Sequence, residues 1–199
     1  MKAPLPGDPV RIRAFAPGEA EIFRTFRLEA LDAHPEAFGS SPADERALPL
    51  EVVAQRLAGG NTFGAFDGGQ PIGMAGFFAE TGEKRRHKGM VWGVYVQAGW
   101  RRRGIAARLI DRVLAHAEPR VEVLHLSVVA ENAGARRLYE SRGFTAYGLE
   151  QHALRLADRY VDELLMVRFL GGEPASNGGP SSNGIPASNA LPRAILGGA

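Results

Sequence analysis

A run of arginines followed by a single glycine is the part of this 199-residue sequence whose residue types could do chemistry. The run reads, in order, Arg101, Arg102, Arg103, Gly104, Ile105, Ala106 and Ala107. An apolar segment precedes it and an amphipathic segment follows it, which predicts a strand, a short loop and the first turn of a helix. The first N–H groups of a helix have no partner within the helix, and its dipole makes that end positive. The run therefore predicts a site for a diphosphate, which we call the cradle (residues 101–107).

The glycine of the cradle supports this interpretation, but other sites remain open. Gly104 lets the backbone approach an anion closely and tolerates a positive φ. A solvated run of arginines ahead of an ordinary surface helix is the alternative interpretation. The cradle matches neither a P-loop, because no Gly-Lys-Ser/Thr follows, nor a dinucleotide fingerprint, because the three-glycine spacing is missing. The residues alone therefore leave the kind of diphosphate open.

The elements around the cradle are predicted to place it at the end of a strand. Residues 88–96 predict a strand before it, and residues 105–118 predict a helix whose apolar face carries Leu109 and Val113. Further strands are predicted over residues 10–15, 62–66, 72–78, 121–129, 144–149 and 159–170, and further helices over residues 17–31, 49–57 and 132–141. The segment 121–129 is almost continuously apolar, which predicts a buried strand. This mixture of strands and helices favours an α/β sandwich with a mixed sheet over a parallel doubly wound sheet.

The overall composition excludes several classes of site. The chain has no cysteine, which rules out disulfides, thiolate metal sites and a cysteine nucleophile. Its 24 basic and 22 acidic residues leave a formal charge of only +2, which gives no support for nucleic-acid binding. No apolar run predicts a signal peptide or a membrane span, so we expect a cytoplasmic protein without a membrane partner. The histidines His34, His116, His125 and His152 are too scattered to predict a metal site.

Composition also divides the chain into three parts. Residues 1–9 are rich in proline and are predicted to be an N-terminal extension, and residues 10–170 are predicted to be one domain. In residues 171–199 a Pro-Ala/Ser-Ser-Asn unit starts at Pro174 and recurs every six residues. Such a segment cannot bury enough apolar surface to offset its ordering entropy, so we predict a disordered tail rich in Pro, Ser, Asn and Gly.

Two motifs follow each other in the predicted domain. The first is Arg101-x-x-Gly104-x-Ala106, after Val94-Tyr95-Val96. The second is Glu131-Asn132-x-x-Ala135-Arg136-x-Leu138-Tyr139-x-x-x-Gly143-Phe144. Together, and with the stretches 27–31 and 35–39, they resemble the GNAT superfamily of acyl-CoA-dependent N-acyltransferases over roughly residues 10–170. Ala98 stands where many members have proline and Arg102 where many have glycine, but neither change removes a backbone N–H.

The resemblance implies a fold, a co-substrate and roles for particular residues. The fold would be the GNAT-type α/β sandwich, with a mixed, mostly antiparallel sheet flanked by helices. The co-substrate would be acetyl-CoA, with the backbone of Val94 and Val96 pairing with its pantetheine arm and the N–H groups of the cradle holding its pyrophosphate. Asn132 would contact the arm near the thiol, and Tyr139 would protonate the leaving thiolate. These two residues are seven apart, so they are expected to share one face of a helix.

The activity implied by the resemblance is N-acetyl transfer by direct attack of a primary amine on the thioester, without a metal. The acceptor would be a small-molecule or peptide amine, and a homodimer is one arrangement that the chain could adopt. One alternative is a non-catalytic acyl-CoA-binding module. Another is a nucleotide-binding domain of a different class that uses the cradle for a different diphosphate.

The implied reaction needs a general base, and no residue in the two motifs supplies one. An alkyl amine of pKa ~10 is mostly protonated at pH 7, and reaching its neutral form costs roughly 4 kcal/mol. Family members often carry a glutamate on the strand before the cradle, but residues 88–96 contain no carboxylate. The candidates for the base are Glu29, Glu80, Glu83 and His87. Trp92 and Tyr95 could line the acceptor pocket or pack within the sheet.

Overall fold

Seven strands form a single sheet in the computed structural model, which describes residues 10–171. In chain order the elements are β1 (Arg11–Ala14), α1 (Ala20–Ala33), α2 (Pro42–Ala47), α3 (Leu50–Ala58), β2 (Thr62–Asp67), β3 (Gln70–Ala79), β4 (Lys88–Val96), α4 (Ile105–Ala117), β5 (Val123–Val129), α5 (Ala133–Glu140), β6 (Thr145–Arg155) and β7 (Tyr160–Phe169). The strands lie in the order β1-β2-β3-β4-β5-β7-β6, in which only the β4–β5 pair is parallel. This confirms the predicted α/β sandwich with a mixed, mostly antiparallel sheet. The predicted extension and, apart from Gly171, the predicted tail lie outside the described residues.

Helices cover both faces of the central part of the sheet and bury two hydrophobic clusters. Helix α4 packs on one face, where Leu109 and Val113 are fully buried, as the apolar periodicity predicts. Helices α1 and α3 pack on the other face, around a cluster of aromatic side chains in which the ring centroids of Phe15 and Phe23 lie 5.2 Å apart. The two layers hold β4 between α1 and α4, so that the strand before the cradle is fixed from both sides.

Strands β4 and β5 pair over only a short length and then separate. The paired residues are Lys88, Gly89 and Met90 of β4 with Val123, Leu124 and His125 of β5. A bulge lies just beyond them, where Gly93 and Val94 together face Ala75 of β3, and Gly93 adopts a φ of +66° that suits glycine. Beyond His125, β5 stays paired with β7 as far as Val129. The facing edges of residues 91–96 and 126–129 therefore form a wedge, which we call the split.

The structure corrects three of the local predictions. Helix α2 was not predicted, although Ser41 caps it in a box with Asp44 and a proline follows the cap, which is a readable start signal. Strand β5 begins at Val123 and is not buried throughout, because only alternate residues such as Leu124 face α4 while Ser127 is exposed. Strand β6 extends to Arg155, well beyond the predicted end at residue 149, since a bulge keeps it paired with β7.

A buried ion pair joins α1 to α2. Arg27 and Glu45 are only 4% and 7% exposed, and the Arg27 Nε lies 4.0 Å from the Glu45 Oε2. The Arg27 Nε and one terminal nitrogen donate no hydrogen bond to any described residue, and burial lowers the pKa of the guanidinium. The Arg27 guanidinium carbon lies 4.7 Å from the ring centroid of Phe38 and 5.6 Å from that of Trp92. Glu45 is therefore the main compensation for a buried positive charge.

Replacing Glu45 with glutamine is expected to lower the free energy of unfolding by about 3 kcal/mol, because it leaves the Arg27 charge buried and uncompensated. The double variant Arg27→Met/Glu45→Met should recover most of that loss, since it removes both charges at similar volume. Urea unfolding of the two variants measures this, with the exposed Glu51→Gln as the matched control. Equal stability of Glu45→Gln and Glu51→Gln would contradict the assignment.

Candidate active site

The cradle ends at the N-terminus of α4, where backbone N–H groups have no partner within the helix. Gly104 is the N-cap residue, with a φ of +74°, and the first intrahelical bond runs from the Arg108 N–H to the Gly104 carbonyl at 3.1 Å. The N–H groups of Ile105, Ala106 and Ala107 therefore have no partner within the helix. A Cβ placed on Gly104 would meet no atom within 4 Å, so the space in front of the helix is open. The arrangement can hold a dianionic group against the positive end of the helix dipole.

The loop ahead of α4 contains a strained residue that the sequence does not reveal. Arg102 adopts a φ of +61°, a left-handed conformation that glycine normally supplies. Alternation of left-handed residues, here Arg102 and Gly104, is typical of loops whose successive N–H groups converge on an anion. This backbone conformation suits glycine, the residue that the resemblance associates with many family members at the position of Arg102.

Arg101 points away from the cradle and braces β4. Its Nε donates to the Val96 carbonyl at 3.0 Å, and one terminal nitrogen donates to the His34 Nε2 at 2.7 Å. His34 in turn lies 3.2 Å from Glu36 through its Nδ1. The backbone N–H of Arg101 is also engaged, with Ala98 at 3.3 Å. The turn therefore already uses the Arg101 N–H, and the cradle's donors without a backbone partner begin at Arg102.

The other two arginines keep to the outside of the cradle. Arg102 and Arg103 are exposed, and the guanidinium carbon of Arg103 lies 4.8 Å from the ring centroid of Trp100. Both can add positive charge at the rim without filling the space before α4. Together with the helix N-terminus, they make the open end of the split electropositive.

Replacing Arg102 with glycine is expected to raise the free energy of unfolding by about 0.5–1 kcal/mol. A left-handed conformation costs a side-chain-bearing residue roughly 1–2 kcal/mol, and glycine avoids this cost but loses more backbone entropy on folding. Urea unfolding of Arg102→Gly tests this. Arg103→Gly is the matched control, because Arg103 has no positive φ, and it should be destabilised instead. A destabilised Arg102→Gly would contradict the strain argument.

The split provides an edge to which an extended chain can add. Val94 and Val96 lie in residues 91–96, which face no strand on the β5 side, and their side chains pack toward α4. The Val96 carbonyl already accepts from Arg101, so it offers only its second lone pair. Main-chain hydrogen bonds to such an edge are a general way to bind an extended ligand.

Asn132 lies outside the helix that was predicted to include it. It is the N-cap of α5, and its Oδ1 accepts from the Ala135 N–H at 3.0 Å. Because capping needs a non-helical backbone at Asn132, its side chain takes its direction from the capping bond and not from helical periodicity. The cap uses the side-chain oxygen, and the side-chain NH2 group is the part that can contact a ligand at the end of the split.

Tyr139 is buried at the C-terminal end of α5. It is 7% exposed and packs edge-on against Phe144, with ring centroids 6.0 Å apart, in the cluster under α4. Burial raises the pKa of its hydroxyl well above the ordinary value. The phenol therefore stays protonated at neutral pH, as a proton donor must.

Three of the predicted base candidates lie at the wrong end of β4. The Glu80 N–H bonds the Lys88 carbonyl at 2.9 Å, and the Glu80 carboxylate pairs with Arg85, which lowers its pKa. Glu83 and His87 belong to the same turn. Five strand residues, or about 16 Å, separate Lys88 from the bulge at Gly93. These side chains therefore lie at the paired, closed end of the split, away from the bulge.

The fourth candidate, Glu29, is a structural link between α1 and β4. Its carboxylate accepts from the Tyr95 hydroxyl and from the Gln97 side-chain amide, each at 3.0 Å. Burial, and then the bond to Glu29, raise the pKa of Tyr95. Tyr95 is buried in the cluster under α1, and Trp92 is half-buried beside Arg27, so both pack within the sheet. Of the two interpretations left open for these aromatic residues, packing is the one that the contacts support.

A cavity of about 580 Å³ lies at the C-terminal end of β5, beside the loop that leads into α5. Its walls come from four separate segments of the chain, and its polar side chains include Glu36, Glu131, Asn132, His152, Tyr160 and Asp162. No sequence pattern predicts this cavity, because these residues belong to no common motif and are up to 126 positions apart. Since Asn132 belongs to both the cavity wall and the second motif, we call it the acceptor cavity.

Neither a membrane-crossing helix nor a metal cluster is found among residues 10–171. No described helix is long and apolar enough to span a bilayer. Within the same range, no three His, Asp or Glu side chains converge in a way that could hold a metal ion.

The site therefore consists of a strand that parts from its parallel neighbour and leads into a helix N-terminus with open N–H groups. A sequence model of the acetyltransferase (GNAT) family matches residues 23–144, which is more than half of the chain. The chain belongs to the GNAT family.

Individual relatives agree with this assignment. Mycothiol acetyltransferase from Beutenbergia cavernae is 32% identical in an alignment of 153 residues that covers 73% of this chain and 48% of that protein. The chain spans about half the length of the curated relatives it matches. Among solved structures, a GNAT-family acetyltransferase from Streptococcus pneumoniae superposes with a TM-score of 0.73 at 22% identity, over 82% of this chain and 100% of that one. YncA, a putative acetyltransferase from Salmonella typhimurium solved with its cofactor acetyl-CoA, gives 0.71 at 18% identity, over 86% and 99%. At 22% and 18% identity, these two structures show that the chain has the same fold and nothing more.

Proposed function

We propose that the chain is an acetyl-CoA-dependent N-acetyltransferase that transfers the acetyl group to a primary amine by direct attack on the thioester. The observation that carries this proposal is the split between β4 and β5, which ends at the open helix N-terminus of the cradle. An extended arm with a diphosphate at one end has the shape and charge to fill both. Family membership supports acetyl-CoA as that ligand.

In this proposal the residues of the second motif and of the split act at the thioester end. The backbone of Val94 and Val96 pairs with the pantetheine arm, and the N–H groups from Arg102 through Ala107 hold the pyrophosphate. The Asn132 side-chain NH2 contacts the arm near the thiol. The C–N bond forms as the C–S bond breaks, and Tyr139 gives its hydroxyl proton to the departing thiolate. A phenol carries its proton at neutral pH and can donate it to a thiolate, which supports this role.

The acceptor in this proposal is a small-molecule or peptide amine. The acceptor cavity is large enough for a side chain or a small amine, and it is walled by carboxylates and an imidazole. A homodimer and a cytoplasmic location stay predictions from the sequence.

A non-catalytic acyl-CoA-binding module is the second candidate, because β4 carries no carboxylate beside the split. Release of free thiol from acetyl-CoA with and without a panel of amines separates the two. An enzyme releases thiol in proportion to amine, whereas a binding module does not. Displacement of bound CoA by ATP or NAD, followed by calorimetry, tests the nucleotide-binding alternative. The proposal expects CoA to bind at least about 100-fold more tightly than either, a difference of about 2.8 kcal/mol.

A further inference from the structure

His152 occupies an unusual position in β6. Between the pairs Glu150–Glu163 and Leu154–Val161, three residues of β6 face the single residue Asp162 of β7. His152 is the middle residue of this bulge and adopts a φ of +54°. Its backbone N–H donates to the Asp162 Oδ1 at 2.8 Å. Its ring stacks on Tyr160, with centroids 4.4 Å apart and planes 17° from parallel.

The bulge restrains the position of His152, although His152 and Tyr160 are both exposed. A left-handed conformation at a residue other than glycine costs roughly 1–2 kcal/mol, so it persists only where the surroundings hold it. Here the bond to Asp162 holds the backbone and the stack on Tyr160 holds the ring. Bulges of this kind often redirect a side chain toward a functional site.

The bulge lies next to the C-terminal end of β5. The Ala130 N–H donates to the Asp162 carbonyl at 2.9 Å, which joins the residue after β5 directly to the residue that holds His152. Asn132 is two positions further along, and both Asn132 and His152 line the acceptor cavity. His152 therefore lines the cavity that the proposed function assigns to the acceptor, whereas Glu80, Glu83 and His87 do not line it.

We propose that His152 is the general base of the reaction and takes the proton that the amine must lose. The proposal rests on the proposed acetyl transfer. As the amine nitrogen bonds to the thioester carbon, one N–H proton passes to an imidazole nitrogen of His152, and the C–S electrons leave on sulfur, which is protonated by Tyr139. Imidazole suits this role because it accepts and releases protons near neutral pH.

The charged and titratable groups around His152 come from several elements. They are Tyr160 and Asp162 on β7, Arg159 in the turn before β7, Glu36 in the turn after α1, and Glu131 ahead of α5. Three carboxylates and one guanidinium give the cavity a net negative charge, which favours a cationic ammonium acceptor.

The test replaces His152 with asparagine and, separately, with glycine, because both residues tolerate a positive φ. The probes are spermidine, benzylamine and the peptide Ala-Ala-Ala, assayed with acetyl-CoA at pH 7. For alkyl amines turned over by the wild type, kcat/KM should fall by about 10²–10⁴-fold in both variants. Acetyl-CoA affinity by calorimetry should change by less than about twofold, since no contact with the cradle is lost. His87→Gln is the matched control and should behave as the wild type.

Two further readouts separate a base from a residue that only shapes the cavity. The fall in kcat/KM should be smaller for the peptide, because its α-amine has a pKa of ~8 and loses its proton more easily. The fall should also become smaller for all probes as the pH rises. Added imidazole should restore part of the activity of His152→Gly. This inference alone would be overturned if His152→Asn kept the kcat/KM of the wild type. It would also be overturned if kcat/KM fell equally for all amines at every pH and imidazole did not restore the activity of His152→Gly. Failure of the wild type to acetylate any amine would overturn the proposed function and this inference together.

Discussion

Replacing Gly104 with aspartate is expected to weaken acetyl-CoA binding by about 100-fold or more. The new side chain would project into the open space in front of α4, where no protein atom lies within 4 Å of its Cβ. It would bring a negative charge to the place where the N–H groups of Ile105, Ala106 and Ala107 are free to hold a pyrophosphate. Two like charges about 4 Å apart near a protein surface repel by about 4 kcal/mol, and each 1.4 kcal/mol is tenfold in affinity.

Gly104→Asn is the matched control for this prediction. Asparagine has the shape of aspartate and tolerates the φ of +74° comparably, but it carries no charge. We expect it to weaken binding much less than aspartate does, and the gap between the two variants measures the electrostatic part. Calorimetric titration with acetyl-CoA, after unfolding curves have shown both variants to be folded, makes the comparison. Wild-type affinity in a folded Gly104→Asp variant would mean that the diphosphate binds elsewhere.

Removing the Tyr139 hydroxyl is expected to lower kcat by about 10²–10⁴-fold while leaving acetyl-CoA affinity nearly unchanged. Phenylalanine keeps the ring that packs against Phe144 and takes away only the proton donor. Because burial raises the pKa of the hydroxyl, the wild-type residue should stay protonated throughout the neutral range. The activity of the wild type should therefore show no loss near pH 7–8 that can be assigned to Tyr139.

The matched control for Tyr139→Phe is Tyr147→Phe, at an exposed tyrosine on β6. Steady-state and single-turnover rates with one accepted amine would show whether the chemical step has slowed. A core tyrosine without a chemical role predicts a modest loss of stability and a normal rate. A Tyr139→Phe enzyme that runs at the wild-type kcat, with chemistry rate-limiting, would end the assignment of Tyr139 as the acid.

The elements next to the cradle could be predicted from sequence because their signals are local. Apolar alternation identifies β4, a four-residue apolar spacing identifies α4, and Gly104 marks the junction between them. The family motifs add the order of the elements, and with it the topology of the sheet. The bounds of β4 agree with the prediction, and α4 ends within one residue of it.

What the sequence does not reveal depends on contacts between distant segments. Arg101 is the first residue of a phosphate-binding motif, yet its side chain bonds to His34, 67 residues away in the chain. The left-handed backbone at His152 arises from the extra residues in β6 and from a carboxylate on β7, and no local propensity signals it. Asn132 is a cap and not a helical residue because the chain enters α5 there from β5. In each case the partner is set by the fold.

The position of the candidate bases also depends on the fold and not on distance along the sequence. Glu80 and His87 are close to β4 in sequence, and proximity in sequence made them candidates, but a strand carries its two ends far apart. His152 is far from both motifs in sequence, and the pairing of β6 with β7 places it in the acceptor cavity beside Asn132.

The most direct test of the proposed function follows the acetyl group itself. Acetyl-CoA labelled in the acetyl carbon is incubated with the protein and a panel of amines, and the amine products and free CoA are quantified together by mass spectrometry. The proposal predicts one labelled N-acetylamine for each CoA released, with a rate that saturates in both substrates and is lost in Gly104→Asp. Tight binding of acetyl-CoA with CoA release that does not depend on any amine, and with no labelled amine formed, would contradict it.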